Sequence, residues 1–211
     1  MDGYVGRGGD KLAWALERFG VRPEGWTAAD LGANVGGFTD ALLRAGARRV
    51  YAVDTGYGTL AWTLRQDPRV VVMERTNALH AILPEPVDLV ASDVGWTRQE
   101  KILPRALALL ARPGTGIAAD PLVLSLVKPQ YEARPGEMVP GRGRVKPEAC
   151  QRIAAAIRGL AERLCPGRCE GPDETPFLGG KGKNPEYFLC LRTGHKPRNM
   201  GISPGSAVTG P

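Results

Sequence analysis

Apolar and polar positions alternate along this chain in two periods, dividing residues 11–164 into repeating strand and helix units. Leu12, Ala15, Leu16 and Phe19 recur at the spacing of a helix buried on one side. Asp10 is placed to cap the start of that helix and Gly20 to end it. Short apolar runs at Thr27–Leu31, 49–54, 70–74, 87–93 and 121–128 read as strands. The run 121–128 is the most apolar, as a strand covered on both faces must be. Helical stretches are predicted between them over 38–45, 59–65, 77–83 and 103–111, with Pro104 in the first turn of the last. A helix over 148–164 and two strands near 168–174 and 186–192 complete the pattern. Strands alternating with helices require a mostly parallel sheet with helices on both faces. Ligands of such α/β sheets sit beyond the carboxyl ends of the strands.

Two segments interrupt the pattern. Residues 130–147, with Pro135-Gly136 and Pro140-Gly141-Arg142-Gly143-Arg144, read as a long basic loop of the kind that serves as a lid or binding loop or is disordered. Residues 193–211 are rich in Gly, Pro and Ser and are expected to form a disordered tail after one domain at 1–192. A 211-residue chain that is 43% hydrophobic buries a core without staples. No apolar run of about 18 residues suggests a membrane span, and the amino terminus lacks a secretory pattern, so a cytoplasmic location is expected. The net charge of +6 suits a polyanionic partner. Cys165 and Cys169 have no second pair or histidine cluster beside them, so reduced thiols rather than a metal site are expected, with Cys150 and Cys190 alike.

The strongest local pattern is Asp30-Leu31-Gly32-Ala33-Asn34-Val35-Gly36-Gly37-Phe38, a strand entering a glycine loop and then a helix. Its glycines do not follow GxGxxG, so the loop suits a nucleoside cofactor without phosphates, S-adenosylmethionine, rather than a dinucleotide. Asp30 can face the cofactor's amino-acid part, the backbone from Gly32 to Phe38 can hold its carboxylate, and Asp54 can accept from its ribose hydroxyls. Asn77 can reach the adenine edge or cap a short helix.

Four charged residues stand at element ends where burial is costly: Lys11, Asp93, Lys128 and Glu186. If the fourth and fifth strands are neighbours, Asp93 and Lys128 lie side by side at the cofactor edge. A lysine held by carboxylates can orient a weak hydroxyl nucleophile and stabilise its developing charge. Each of the four also has a plain reading as a solvated or structural charge.

At these residues the sequence resembles the FtsJ-type ribose 2′-O-methyltransferases, in particular the TlyA branch that modifies ribosomal RNA. The matching segments include Tyr4-Val5-Gly6-Arg7-Gly8-Gly9-Asp10-Lys11-Leu12, Gly36-Gly37-Phe38-Thr39, Val53-Asp54-Thr55-Gly56-Tyr57-Gly58, Glu74-Arg75-Thr76-Asn77, Lys128-Pro129-Gln130-Tyr131-Glu132 and Asn184-Pro185-Glu186-Tyr187-Phe188. The resemblance implies a Rossmann-like methyltransferase fold, a seven-stranded sheet with an antiparallel last strand, and a Lys-Asp-Lys-Glu tetrad at Lys11, Asp93, Lys128 and Glu186. It also implies RNA, ribosomal RNA or a ribosomal subunit, as partner. The branch's small amino-terminal RNA-binding domain is not seen in this chain. Asn34 and Val35 replace the family's serine and threonine, and Val94-Gly95-Trp96-Thr97-Arg98 replaces an apolar run, where Trp96 reads either as a packing residue or as a stacking surface for a base. Arg7, Arg98, Arg134, Arg142, Arg144, Lys181 and Lys183 are candidate phosphate contacts. The rival readings are a methyltransferase of a small molecule or protein, and a non-catalytic RNA-binding factor with a relic cofactor site.

Overall fold

The computed structural model describes residues 3–179 and 184–194. The expected tail from 195 onward, and Lys181 and Lys183, lie outside the described residues. In chain order the elements are α1 (Gly8–Arg18), β1 (Thr27–Leu31), α2 (Gly37–Arg44), β2 (Arg49–Val53), α3 (Trp62–Arg65), β3 (Val70–Met73), β4 (Leu89–Ser92) and α4 (Gln99–Leu109). They continue with β5 (Leu122–Val127), α5 (Pro129–Glu132), β6 (Met138–Val139), β7 (Arg144–Val145), α6 (Pro147–Leu164), β8 (Cys169–Gly179) and β9 (Asn184–Arg192).

Seven strands form one sheet in the order β3-β2-β1-β4-β5-β9-β8. The first five run parallel, and β9 runs antiparallel to both neighbours, as the resemblance implied. Strand order reverses between β1 and β4, which opens a crevice at their carboxyl ends. Successive residues of β5 point to opposite faces: Leu122, Leu124 and Leu126 join one core and Val123 and Val127 the other. The first core holds Leu12 and Leu16 of α1, Phe38 and Leu42 of α2, and Phe188 of β9. The second holds Ile102 and Leu103 of α4, Ile153 and Ile157 of α6, and Leu189 of β9. Among the described residues no helix is long and apolar enough to cross a membrane.

Several local expectations are corrected. The α1 helix starts at Gly8, before Asp10, which lies in its first turn near the positive helix end instead of capping it. Only Trp62–Arg65 of the stretch 59–65 is helical, because Glu74 ties the preceding loop down through the Gly58 amide (2.9 Å). Residues 77–83 form no helix: 78–80 make a turn, with Asn77 Oδ1 accepting from the Leu79 amide at 2.9 Å. The α4 helix starts at Gln99, so Pro104 falls inside it. That earlier start is supported by Glu132, which accepts from the Gln99 amide at 2.7 Å. The basic segment 130–147 is not structureless: it holds the end of α5 and the antiparallel pair β6–β7.

Candidate active site

The crevice is built by the loops that leave the carboxyl ends of the strands. Past β1 the chain turns through Gly32, whose φ of 91° lies in the left-handed region. A Cβ there would stand 2.7 Å from the Asp93 carbonyl oxygen, so the loops after β1 and β4 can touch only because residue 32 is glycine. Gly37 plays the same part toward the amino-terminal segment, where an added Cβ would meet the Gly9 nitrogen at 2.8 Å and Gly8 Cα at 3.0 Å. That close approach brings the first turn of α1, and Lys11, over the end of the sheet.

Lys11, Asp93, Lys128 and Glu186 come together there. Lys11 Nζ pairs with Glu186 Oε2 at 2.5 Å, and Lys128 Nζ pairs with Asp93 Oδ1. Glu186 is only 2% exposed, and Lys11, Lys128 and Asp93 are 14%, 17% and 22% exposed, so two full ion pairs sit largely out of water. Two lysines and two carboxylates balance, which makes their shared burial tolerable. Burial opposes the Lys128 charge, but Asp93, Glu186 and Tyr131 together outweigh it and hold its pKa above the ordinary lysine value. The lysine is therefore protonated at neutral pH. Gly179, across from Glu186, leaves the room that a side chain would take from the carboxylate.

Two adjoining cavities flank this cluster and share Gly32, Asn34 and Asp93. The larger, about 470 Å³, is lined by Asp54, Asn77, Val94, Trp96 and Lys128 among others. The smaller, about 260 Å³, is lined by Arg7, Lys11, Ala33, Gly37 and Phe38. Asp54 accepts from the Asn34 amide (2.8 Å) through one oxygen and the Gly56 amide (2.7 Å) through the other. Each oxygen keeps a further lone pair for a ligand hydroxyl.

Two expected cofactor contacts stand behind the wall instead of in it. Asp30 is wholly buried; its Oδ2 accepts from the Thr39 hydroxyl at 2.7 Å and its Oδ1 has no partner. Desolvation lifts its pKa to about 7, with Asp93 and Asp54 adding to the rise. Gly36, at φ 101°, makes the turn into α2 and leaves space for Leu60 and Leu64.

The basic and aromatic candidates divide by position. Trp96 lines the larger cavity, is 90% exposed, and sits at φ 62°, a conformation a bulky residue rarely adopts. Its ring leans on Tyr131 with centroids 5.2 Å apart. Arg98 is exposed at the start of α4, and Arg134, Arg142 and Arg144 are exposed on the 130–147 segment; none of these four lines either cavity. Sequence reasoning missed Thr55, Thr76, Gly95 and Thr97 on the larger cavity and Gly6 and Gly8 on the smaller. Position alone could have found four of them, since Thr55, Thr76, Gly95 and Thr97 come closely after β2, β3 and β4. Among the described residues no group of three or more potential metal ligands gathers.

The profile of the FtsJ-like methyltransferase family matches residues 4–193. The 16S/23S rRNA (cytidine-2′-O)-methyltransferase TlyA of Mycobacterium tuberculosis is 41% identical over 90% of this chain and 69% of its own length. A solved hemolysin-like chain from Lactococcus lactis is 34% identical, with a TM-score of 0.79 over 90% of this chain and 88% of that one. The N-methyltransferase NodS of Bradyrhizobium japonicum, 13% identical with a TM-score of 0.56 over 88% of this chain and 96% of its own, shares the fold.

Proposed function

Since the chain belongs to the FtsJ-like methyltransferase family, we propose that it transfers a methyl group from S-adenosylmethionine to a ribose 2′-hydroxyl of RNA, ribosomal RNA being the substrate. The observation that carries this reading is the convergence of Lys11, Asp93, Lys128 and Glu186, distant in sequence, beside two joined cavities.

The cofactor is consistent with the residues present. The larger cavity is of nucleoside-binding size and offers a carboxylate, Asp54, with lone pairs for ribose hydroxyls. Val53, Ala78 and Val94 give apolar surface for the adenine, and the Asn77 amide group is free to donate once its oxygen serves Leu79. The glycine approach at Gly32 keeps the wall to bare backbone, where Gly32, Ala33 and Asn34 would hold the amino-acid part. When bound, the cofactor supplies a methyl group activated by a cationic sulfur.

The chain's own residues then prepare the acceptor. Lys128, charged and held by Asp93, donates a hydrogen bond to the ribose oxygen and stabilises the negative charge that grows on it. Asp93, which lines both cavities beside Lys128, is a carboxylate placed to take the hydroxyl proton. Lys11 and Glu186 fix the far side of the acceptor and hold the cluster neutral. Fixed geometry of this kind lowers the barrier chiefly by orientation. Trp96 offers a stacking face for a base, and Arg7 and Arg98 offer charge for phosphates.

The test is incubation with methyl-labelled cofactor and total RNA, followed by nucleoside analysis. A labelled 2′-O-methylnucleoside is expected from the wild type and none from Lys128→Ala, whose cofactor affinity by calorimetry stays near wild type. Label on a base, or full turnover by Lys128→Ala, overturns the assignment.

A further inference from the structure

The segment 134–146 stands out because its base is pinned while its tip is charged and unpaired. Glu137 accepts from the Arg134 amide at 2.7 Å and from Arg152 of α6 at 2.8 and 2.7 Å, and its carbonyl accepts from the Lys146 amide at 2.9 Å. Val145 is buried in the second core, and Met138 packs partly buried against it. Arg142 and Arg144, by contrast, are exposed and form no ion pair among the described residues.

The Asn184 side chain hydrogen-bonds this segment to the strand that carries Glu186. Asn184, 2% exposed at the start of β9, accepts from the Val145 amide at 2.8 Å and donates to the Gly143 carbonyl at 3.0 Å. It thereby binds both sides of Arg144. Two residues further along β9 is Glu186, in its pair with Lys11. A buried amide that uses both its donor and its acceptor on one neighbouring segment fixes that segment in register.

We infer that residues 134–146 form a rigid cationic arm for the phosphate backbone of the RNA, and that Asn184 is the positioning residue keying this arm to Glu186. The inference rests on the proposed RNA substrate. It explains why exposed arginines stand on a braced hairpin instead of a free loop: a grip set at a fixed offset from Glu186 presents one nucleotide, not its neighbours, to the tetrad.

Two variants separate grip from register. In Asn184→Ala, hydrogen exchange of the free protein should rise at least tenfold at the Val145 amide and stay unchanged in β5. With RNA, its kcat should fall and its KM rise, each by about tenfold. In the double variant Arg142→Ser with Arg144→Ser, exchange and kcat should match wild type. Its KM for RNA should rise, and the slope of log affinity against log salt should shrink by about 1.5. Calorimetric affinity for the cofactor should be unchanged in both. A Val145 amide still protected in Asn184→Ala, or a rise in KM alone, overturns the keying role. An unchanged salt slope in the arginine variant overturns the grip even where the wild type methylates RNA. Absence of RNA methylation by the wild type overturns the function itself, not the bracing.

Discussion

Asp30 makes a prediction that needs no substrate. Its carboxyl is fully buried beneath the glycine loop, with one oxygen bonded to Thr39 and the other unpartnered. Burial is the main reason its pKa stands near 7 instead of the ordinary 3.8, and the charges of Asp93 and Asp54 contribute. The folded protein keeps this proton up to about pH 7, whereas the unfolded chain releases it near 3.8. Folding therefore takes up a proton in that window, and stability falls as pH rises through it, levelling off above pH 7. A shift of about 3 pH units corresponds to about 4 kcal/mol in all, of which roughly 2–3 kcal/mol is lost between pH 5 and pH 8. Asp30→Asn cannot ionise and should lose this slope. The amide oxygen can accept from Thr39, but its NH₂ replaces an oxygen that has no partner, costing about 1–3 kcal/mol at every pH. The slope, not the absolute stability, is thus diagnostic. Urea unfolding followed by tryptophan fluorescence at pH 5, 6, 7 and 8 measures it, and other titrating groups cancel between the two proteins. Parallel pH profiles for wild type and variant would refute the reasoning.

Two further expectations concern the site's framework. Gly37→Ala places a methyl group against backbone at Gly8 and Gly9, which cannot rotate away, so the variant should lose about 1–3 kcal/mol of stability and at least tenfold in kcat as Lys11 is displaced; a wild-type melting temperature with wild-type turnover would contradict the close packing. Asp54→Ala removes the acceptor of the Asn34 and Gly56 amides as well as the proposed ribose contact, so cofactor affinity by calorimetry should fall by tenfold or more, and unchanged affinity would exclude that contact.

The sheet was legible in the sequence because its strands are short apolar runs with few competing patterns. The run around β5 was read almost to the residue, and Asp93 and Lys128 did become neighbours because β4 and β5 pair in parallel. Helix boundaries were less legible where the deciding partner is distant in sequence. Nothing near Gln99 announces that Glu132 will support the start of α4, and nothing near Gly58 announces Glu74. The placement of Asp30 was misjudged for a related reason. An acid at a strand end can face a ligand or be sealed beneath a loop, and only the position of Thr39 distinguishes the two. The hairpin β6–β7 was read as a loop because its strands are two residues each, and its bracing by Asn184 is a tertiary contact.

The division of the interior into two apolar layers, with the sheet as a partition, has an evolutionary consequence. A substitution under α2, at Leu42 for example, meets none of the side chains that surround Ile153 beneath α6. Changes in well-separated regions combine nearly additively. One layer can therefore drift in sequence without compensation in the other, while the loops at the carboxyl end of the partition, which draw on both, tolerate the least.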